Sequence, residues 1–129
     1  MAERRREAMN YDVWFDESNR IVYLKTYHTL TENDVHELME VAGKKFEGKE
    51  IRYSLIDLSE ATSEPIQKGT REAFKKYADS LTYDKVAIVG ANPTTRMLAK
   101  IALAVVGKSK VAKFFKTEEE ALKWLKGEK

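Results

Sequence analysis

Two short apolar runs set the strongest limit on what this chain can fold into. The first is Ile51-Arg52-Tyr53-Ser54-Leu55-Ile56-Asp57-Leu58, followed by a polar turn from Ser59 to Pro65 and then by apolar residues at helical spacing. The second, Val86-Ala87-Ile88-Val89-Gly90, repeats the plan and leads into Ala91-Asn92-Pro93-Thr94-Thr95. A short apolar strand, a polar turn and a helix, in that order, describe a central strand of a parallel sheet. Open α/β sheets place ligands and switches at the carboxyl ends of their strands. These two turns are therefore the first place to look for function.

The flanking segments supply the other layers. Tyr11, Val13 and Phe15 alternate with Asp12, Trp14 and Asp16, the turn Glu17-Ser18-Asn19 follows, and the run from Ile21 to Tyr27 is β-branched and aromatic. That pattern predicts a hairpin. Thr31 then caps a helix whose apolar side carries Val35, Leu38, Met39, Ala42 and Phe46 and which stops at Gly48. After the first central strand, Ile66, Ala73, Phe74, Tyr77, Ala78 and Leu81 form a second helical stripe. Pro65 suits its first turn, and Gly69 within the stripe implies close approach to the sheet. The third helix starts at an Asn92 or Thr94 cap beside Pro93. A last strand, residues 110–115, precedes a helix opened by a Thr117–Glu120 capping box, packed by Ala121, Leu122, Trp124 and Leu125, and ended by Gly127. The order β-β-α-β-α-β-α-β-α implies right-handed crossovers and a mixed, mostly parallel α/β sheet of about five strands. Residues 1–10 read as an N-terminal tail and 11–129 as one domain.

Composition narrows the function. The net charge of +2 is nearly balanced, which speaks against a nucleic-acid partner. With no cysteine there is no disulfide frame, thiol nucleophile or thiolate zinc site. No run approaches the ~20 apolar residues of a spanning helix, so no membrane insertion is expected and a cytoplasmic location is the default.

The chain resembles a STAS domain of the SpoIIAA-like branch, grouped with Sec14-like lipid-binding domains. The resemblance rests on Leu55-Ile56-Asp57-Leu58-Ser59, on Lys85-Val86-Ala87-Ile88-Val89-Gly90, and on the close Phe114-Phe115 … Glu119-Glu120-Ala121-Leu122-Lys123-Trp124-Leu125. It implies a SpoIIAA-like β/α superhelix with an added antiparallel strand, and a regulatory or protein-interaction module rather than an enzyme. In anti-sigma factor antagonists an Asp-Ser-Ser-Gly turn opens the second helix and a serine there is phosphorylated. Here the region reads Glu60-Ala61-Thr62-Ser63-Glu64-Pro65. Thr62 and Ser63 are thus the candidate phospho-sites, without the Ser-Gly pair and with Glu60 and Glu64 placed to repel a phosphate. Both residue types also serve as plain caps.

Other chemistry is sparse. Asp57 and Ser59 organise the first turn through side-chain to backbone bonds. A receiver domain also ends a strand in aspartate, but its acidic pair after the first strand is missing from Tyr27-His28-Thr29. Asn92, Thr94, Thr95 and Arg96 form a candidate anion site, where helix N–H groups, hydroxyls and a guanidinium converge. They equally describe a capped helix start. His28 and His36 are not accompanied by carboxylates in a metal-ligand motif, so no metal, cofactor or catalytic set is expected. Tyr23, Lys25 and Tyr27 share one face of a strand, and Tyr53 joins them if the register allows.

Two function classes follow. One is a regulatory module binding a protein partner or itself. The other is a small-ligand carrier, holding an anion or lipid at the carboxyl ends of the strands. The third helix favours self-association, because its apolar residues exceed one stripe. Met97, Leu98, Ile101, Ala102 and Val105 are expected to cover the sheet. Ala99, Leu103 and Val106 then need the last helix with Trp124, or a second copy, to cover them.

Overall fold

The computed structural model describes residues 10–28, 30–48, 52–61, 67–78, 84–105 and 110–127. Five strands and four helices run in the order β1 (Tyr11–Asp16), β2 (Ile21–Thr26), α1 (Glu32–Phe46), β3 (Tyr53–Asp57), α2 (Lys68–Ala78), β4 (Lys85–Val89), α3 (Pro93–Val105), β5 (Ala112–Phe115) and α4 (Glu118–Leu125). The strands pair in the order β1-β2-β3-β4-β5. β1 and β2 are antiparallel, and every later pair is parallel.

The hairpin forms because Asp16 shapes its turn. Its carboxylate accepts from Ser18 N at 3.0 Å and from Asn19 Nδ2 at 2.7 Å, while Arg20 takes a left-handed φ of 59°. The register sets Trp14 opposite Tyr23, and their rings stack with centroids 5.2 Å apart. Tyr11, one residue of the opposite parity, sends its hydroxyl to Glu37 on α1. The alternation in sequence is therefore a true division between faces.

Each parallel crossover moves one strand further in the same direction, so right-handedness puts α1, α2 and α3 on one face. α2 packs against both α1 and α3. Thr31 caps α1 in a reciprocal box with Asp34, and Val35, Leu38, Ala42 and Phe46 are its buried side. α2 buries Thr70 and Ala73, while Phe74 and Tyr77 are only half-buried. Ile66 and Leu81 lie outside the described residues. Gly69 meets α1 rather than the sheet: a Cβ there would stand 2.8 Å from Glu32 Oε1. Thr70 also reaches that way, donating to Leu30 O at 3.2 Å.

α4 lies on the opposite face. Ala121 and Leu125 join Ile21, Tyr23, Leu55, Ala87 and Val89 in one buried cluster, with Tyr53, Phe115 and Trp124 packed against it. Tyr53 thus shares the face of Tyr23. Trp124 rests on Phe115 at 5.5 Å between centroids, and Lys85 donates to its carbonyl at 2.9 Å. The last helix completes the far side of the sheet and leaves α3 to be covered, or not, by other means.

Candidate functional site

The carboxyl ends of β3 and β4 meet in a tight contact. Ser59 N donates to Asp57 Oδ1 at 2.8 Å, so the carboxylate turns the chain as it leaves β3. Leu58 N donates to Val89 O at 2.9 Å. Gly90 then takes φ +77°, and a Cβ on it would lie 2.8 Å from both the N and Cβ of Ser59. Only glycine fits so close to another backbone in that conformation.

Lys25 bridges this turn to β2. Its ammonium lies 2.7 Å from Glu60 and 3.9 Å from Asp57. The hydrogen bond to Glu60 holds the ammonium pKa above its usual value, against burial and with help from Asp57. Beside it, burial and the bond from its hydroxyl to Asp12 Oδ2, at 2.7 Å, push the Tyr27 phenol up. Asp12 is buried, and its Oδ1 has no hydrogen-bond partner among the described residues. Thr62 and Ser63 lie outside the described residues.

At the start of α3, Asn92 Oδ1 accepts from Thr95 N at 2.8 Å and so acts as the cap. Thr95 is buried, Thr94 is exposed, and the Arg96 guanidinium lies over the Phe114 ring at 5.0 Å. These four residues sit within one turn, with Arg96 directed along the sheet face. His36 makes its contacts with α1 and α2. His36 Nδ1 lies 2.9 Å from Tyr77 Oη, and its Nε2 is 3.9 Å from Glu32. Among the described residues no three metal-ligating side chains cluster, and no helix is long and apolar enough to cross a membrane.

The phase of α3 departs from the sequence expectation. Thr95 is buried and Leu98, Ala99 and Leu103 are half-buried, so these face inward. Met97 and Ile101, expected against the sheet, are 58% and 50% exposed. Both stripes have helical spacing, so periodicity does not choose between them. The Gly90 turn and the Asn92 cap fix the angle at which the helix starts, and that angle brings Thr95 inside. Leu103 correspondingly belongs to the protein's own interior side. The outward side of α3 therefore presents two large apolar residues beside Arg96 and Lys100, both exposed.

α2, which packs against α3, gathers positive charge. α2 carries Lys68, Arg71, Lys75 and Lys76 against a single acid, Glu72, and α3 has no acid at all. All four basic residues of α2 are exposed. Sequence reasoning missed this cluster because acids on α1 and in the first turn of α4 cancel it in the net charge.

The chain belongs to the DUF7793 family, a domain of unknown function, whose model matches residues 13–129. No curated protein matches it in sequence. In three dimensions it is similar to an uncharacterized protein of the DUF3478 family with a SpoIIAA-like fold from Shewanella loihica PV-4. That likeness has a TM-score of 0.70 at 19% identity, over 94% of this chain and 98% of the other. It is also similar to an anti-sigma-factor antagonist (STAS) domain protein from Planctomyces limnophilus, with a TM-score of 0.60 at 18% identity, over 90% and 97% of the two chains. The fold is thus the SpoIIAA-like fold of STAS domains.

Proposed function

We propose that this member of the DUF7793 family is a non-catalytic regulatory module that docks a protein partner on the outward side of α3. The observation that carries the reading is the exposure of Met97 and Ile101 on a helix whose inner side is already supplied with Leu98, Ala99 and Leu103. Large apolar side chains held in water on a rigid helix lose nothing by leaving it, and their burial is the usual source of interface energy. The likeness to an anti-sigma-factor antagonist domain protein supports a regulatory role for such a contact. A cytoplasmic setting suits it.

The test is site-specific photo-crosslinking in the organism of origin. A benzophenone side chain at position 101 should give a discrete protein adduct, and the same group at Glu40, exposed on α1, should not. Equal adducts at both positions, or none at either, would remove the reading. The alternative, an anion or lipid carrier, is tested separately by native mass spectrometry of the purified chain. A retained small molecule would favour the carrier, and the bare chain mass is expected.

A further inference from the structure

The exposed apolar pair sits inside a field of one sign. At about 100° per residue, Arg96 and Lys100 occupy the flank of α3 that meets Phe114, over which both cations lie. Met97 and Ile101 point outward and round toward the other flank, where α2 packs. They therefore lie between exposed cations, Arg96 and Lys100 on one side and, at the same angle per residue, Arg71 and Lys75 of α2 on the other, whereas Lys76 shares the flank of Gly69 that meets α1. Charges further than about 8–10 Å away are largely screened at ordinary ionic strength. A docked partner consequently feels this local cluster and not the near-zero balance of the whole chain.

We propose that the α2–α3 surface binds an acidic amphipathic segment of another protein, with apolar anchors on Met97 and Ile101 and carboxylates facing the flanking cations. This rests on the docking role proposed above and names the chemistry of the occupant. A two-fold pairing of α3 with itself is the poorer fit, because it sets Arg96 and Lys100 of one copy near those of the other. A single-stranded nucleic acid would find methionine and isoleucine where stacking rings are needed, and a duplex held through its phosphates would leave both apolar side chains unused. A membrane surface would gain little from two apolar side chains.

The experiment uses the full chain with benzophenone at position 101, in its own cells, with and without the double substitution Arg96→Glu and Lys100→Glu. Both replaced residues are exposed, and unchanged circular dichroism checks that the fold is kept. The crosslinked segment is sequenced by mass spectrometry. The expected result is a segment rich in Asp and Glu with apolar residues at helical spacing, whose adduct yield falls about tenfold on charge reversal, equivalent to ~1.4 kcal/mol. A linked segment without acidic excess, or a yield that ignores the reversal, overturns the acidic partner and leaves the docking role standing. A segment from the chain itself overturns it in favour of a second copy. Linkage to lipid or nucleic acid, or no adduct, removes both proposals.

Discussion

Replacing Gly90 by alanine tests the contact that joins the two strand-end turns. Gly90 has φ +77°, where a residue with a Cβ costs about 1–2 kcal/mol. The added Cβ would stand 2.8 Å from Ser59 N and Cβ and 2.9 Å from its Cα. Ser59 cannot retreat freely, since its N–H is bound to Asp57 and the preceding Leu58 N–H to Val89 O. Such overpacking against backbone costs roughly 1–3 kcal/mol more. The expected total is ~2–5 kcal/mol, and with a urea m-value of about 1–3 kcal/mol/M the unfolding midpoint should drop by roughly 0.7–5 M. Gly48 provides the control: its φ is also +77°, but a Cβ there meets nothing within 4 Å among the described residues. Gly48→Ala should show the backbone cost alone. Equal losses in the two variants, measured by urea unfolding followed by circular dichroism, would refute a rigid contact between Gly90 and Ser59.

Phe46→Ala should cost ~3–5 kcal/mol, because the ring is 1% exposed, while the half-buried Phe74→Ala should cost about 1–3 kcal/mol; parallel urea titrations rank them. Leu103→Asp should unfold the protein rather than release a monomer, since the residue faces inward; a folded product of unchanged mass by light scattering would contradict the phase of α3. At Asp34, burial works to raise the pKa, but the Thr31 N–H, the Asn10 amide and the Thr31 hydroxyl outweigh it and hold the pKa below its usual value. Its contribution to stability is thus complete above the ordinary aspartate pKa of ~4 and lost as pH falls through the lower folded value. Carbon-detected titration should find this carboxyl protonating below the ordinary aspartate range, and the destabilisation by Asp34→Asn at pH 7 should shrink as the solution is acidified through that lowered folded value.

What was legible in the sequence was whatever a local signal decides. The hairpin alternation, the Thr31 and Asn92 caps, the Thr117 cap that accepts from Glu120 N, and the alternation of strands with helices each depend on a few neighbouring residues. What was not legible depended on how elements turn toward one another. Two apolar stripes on α3 satisfy the same period, and the left-handed Gly90 turn and Asn92 cap ahead of it start the helix with the inner one toward the sheet. Gly69 signalled a close approach but not to what, and the answer was Glu32 on α1. Trp124 signalled a packing residue but not a face, and it closes the side of the sheet away from α3.

The charge pattern follows the same logic and bears most on function. Read as a total, the nearly neutral charge argues against a nucleic-acid partner. Neutrality, however, is a sum over the sequence, whereas a partner meets one face. Successive crossovers in one direction lay α1, α2 and α3 side by side, so charges that alternate along the chain become separated in space. α1 holds Glu32, Asp34, Glu37 and Glu40 ahead of its two lysines, and α2 and α3 hold six cations against Glu72. Since screening confines each helix's field to its own neighbourhood, the acidic and basic sides act as separate surfaces. The basic one is the one that carries exposed Met97 and Ile101, and it is the surface on which the proposed acidic partner would dock.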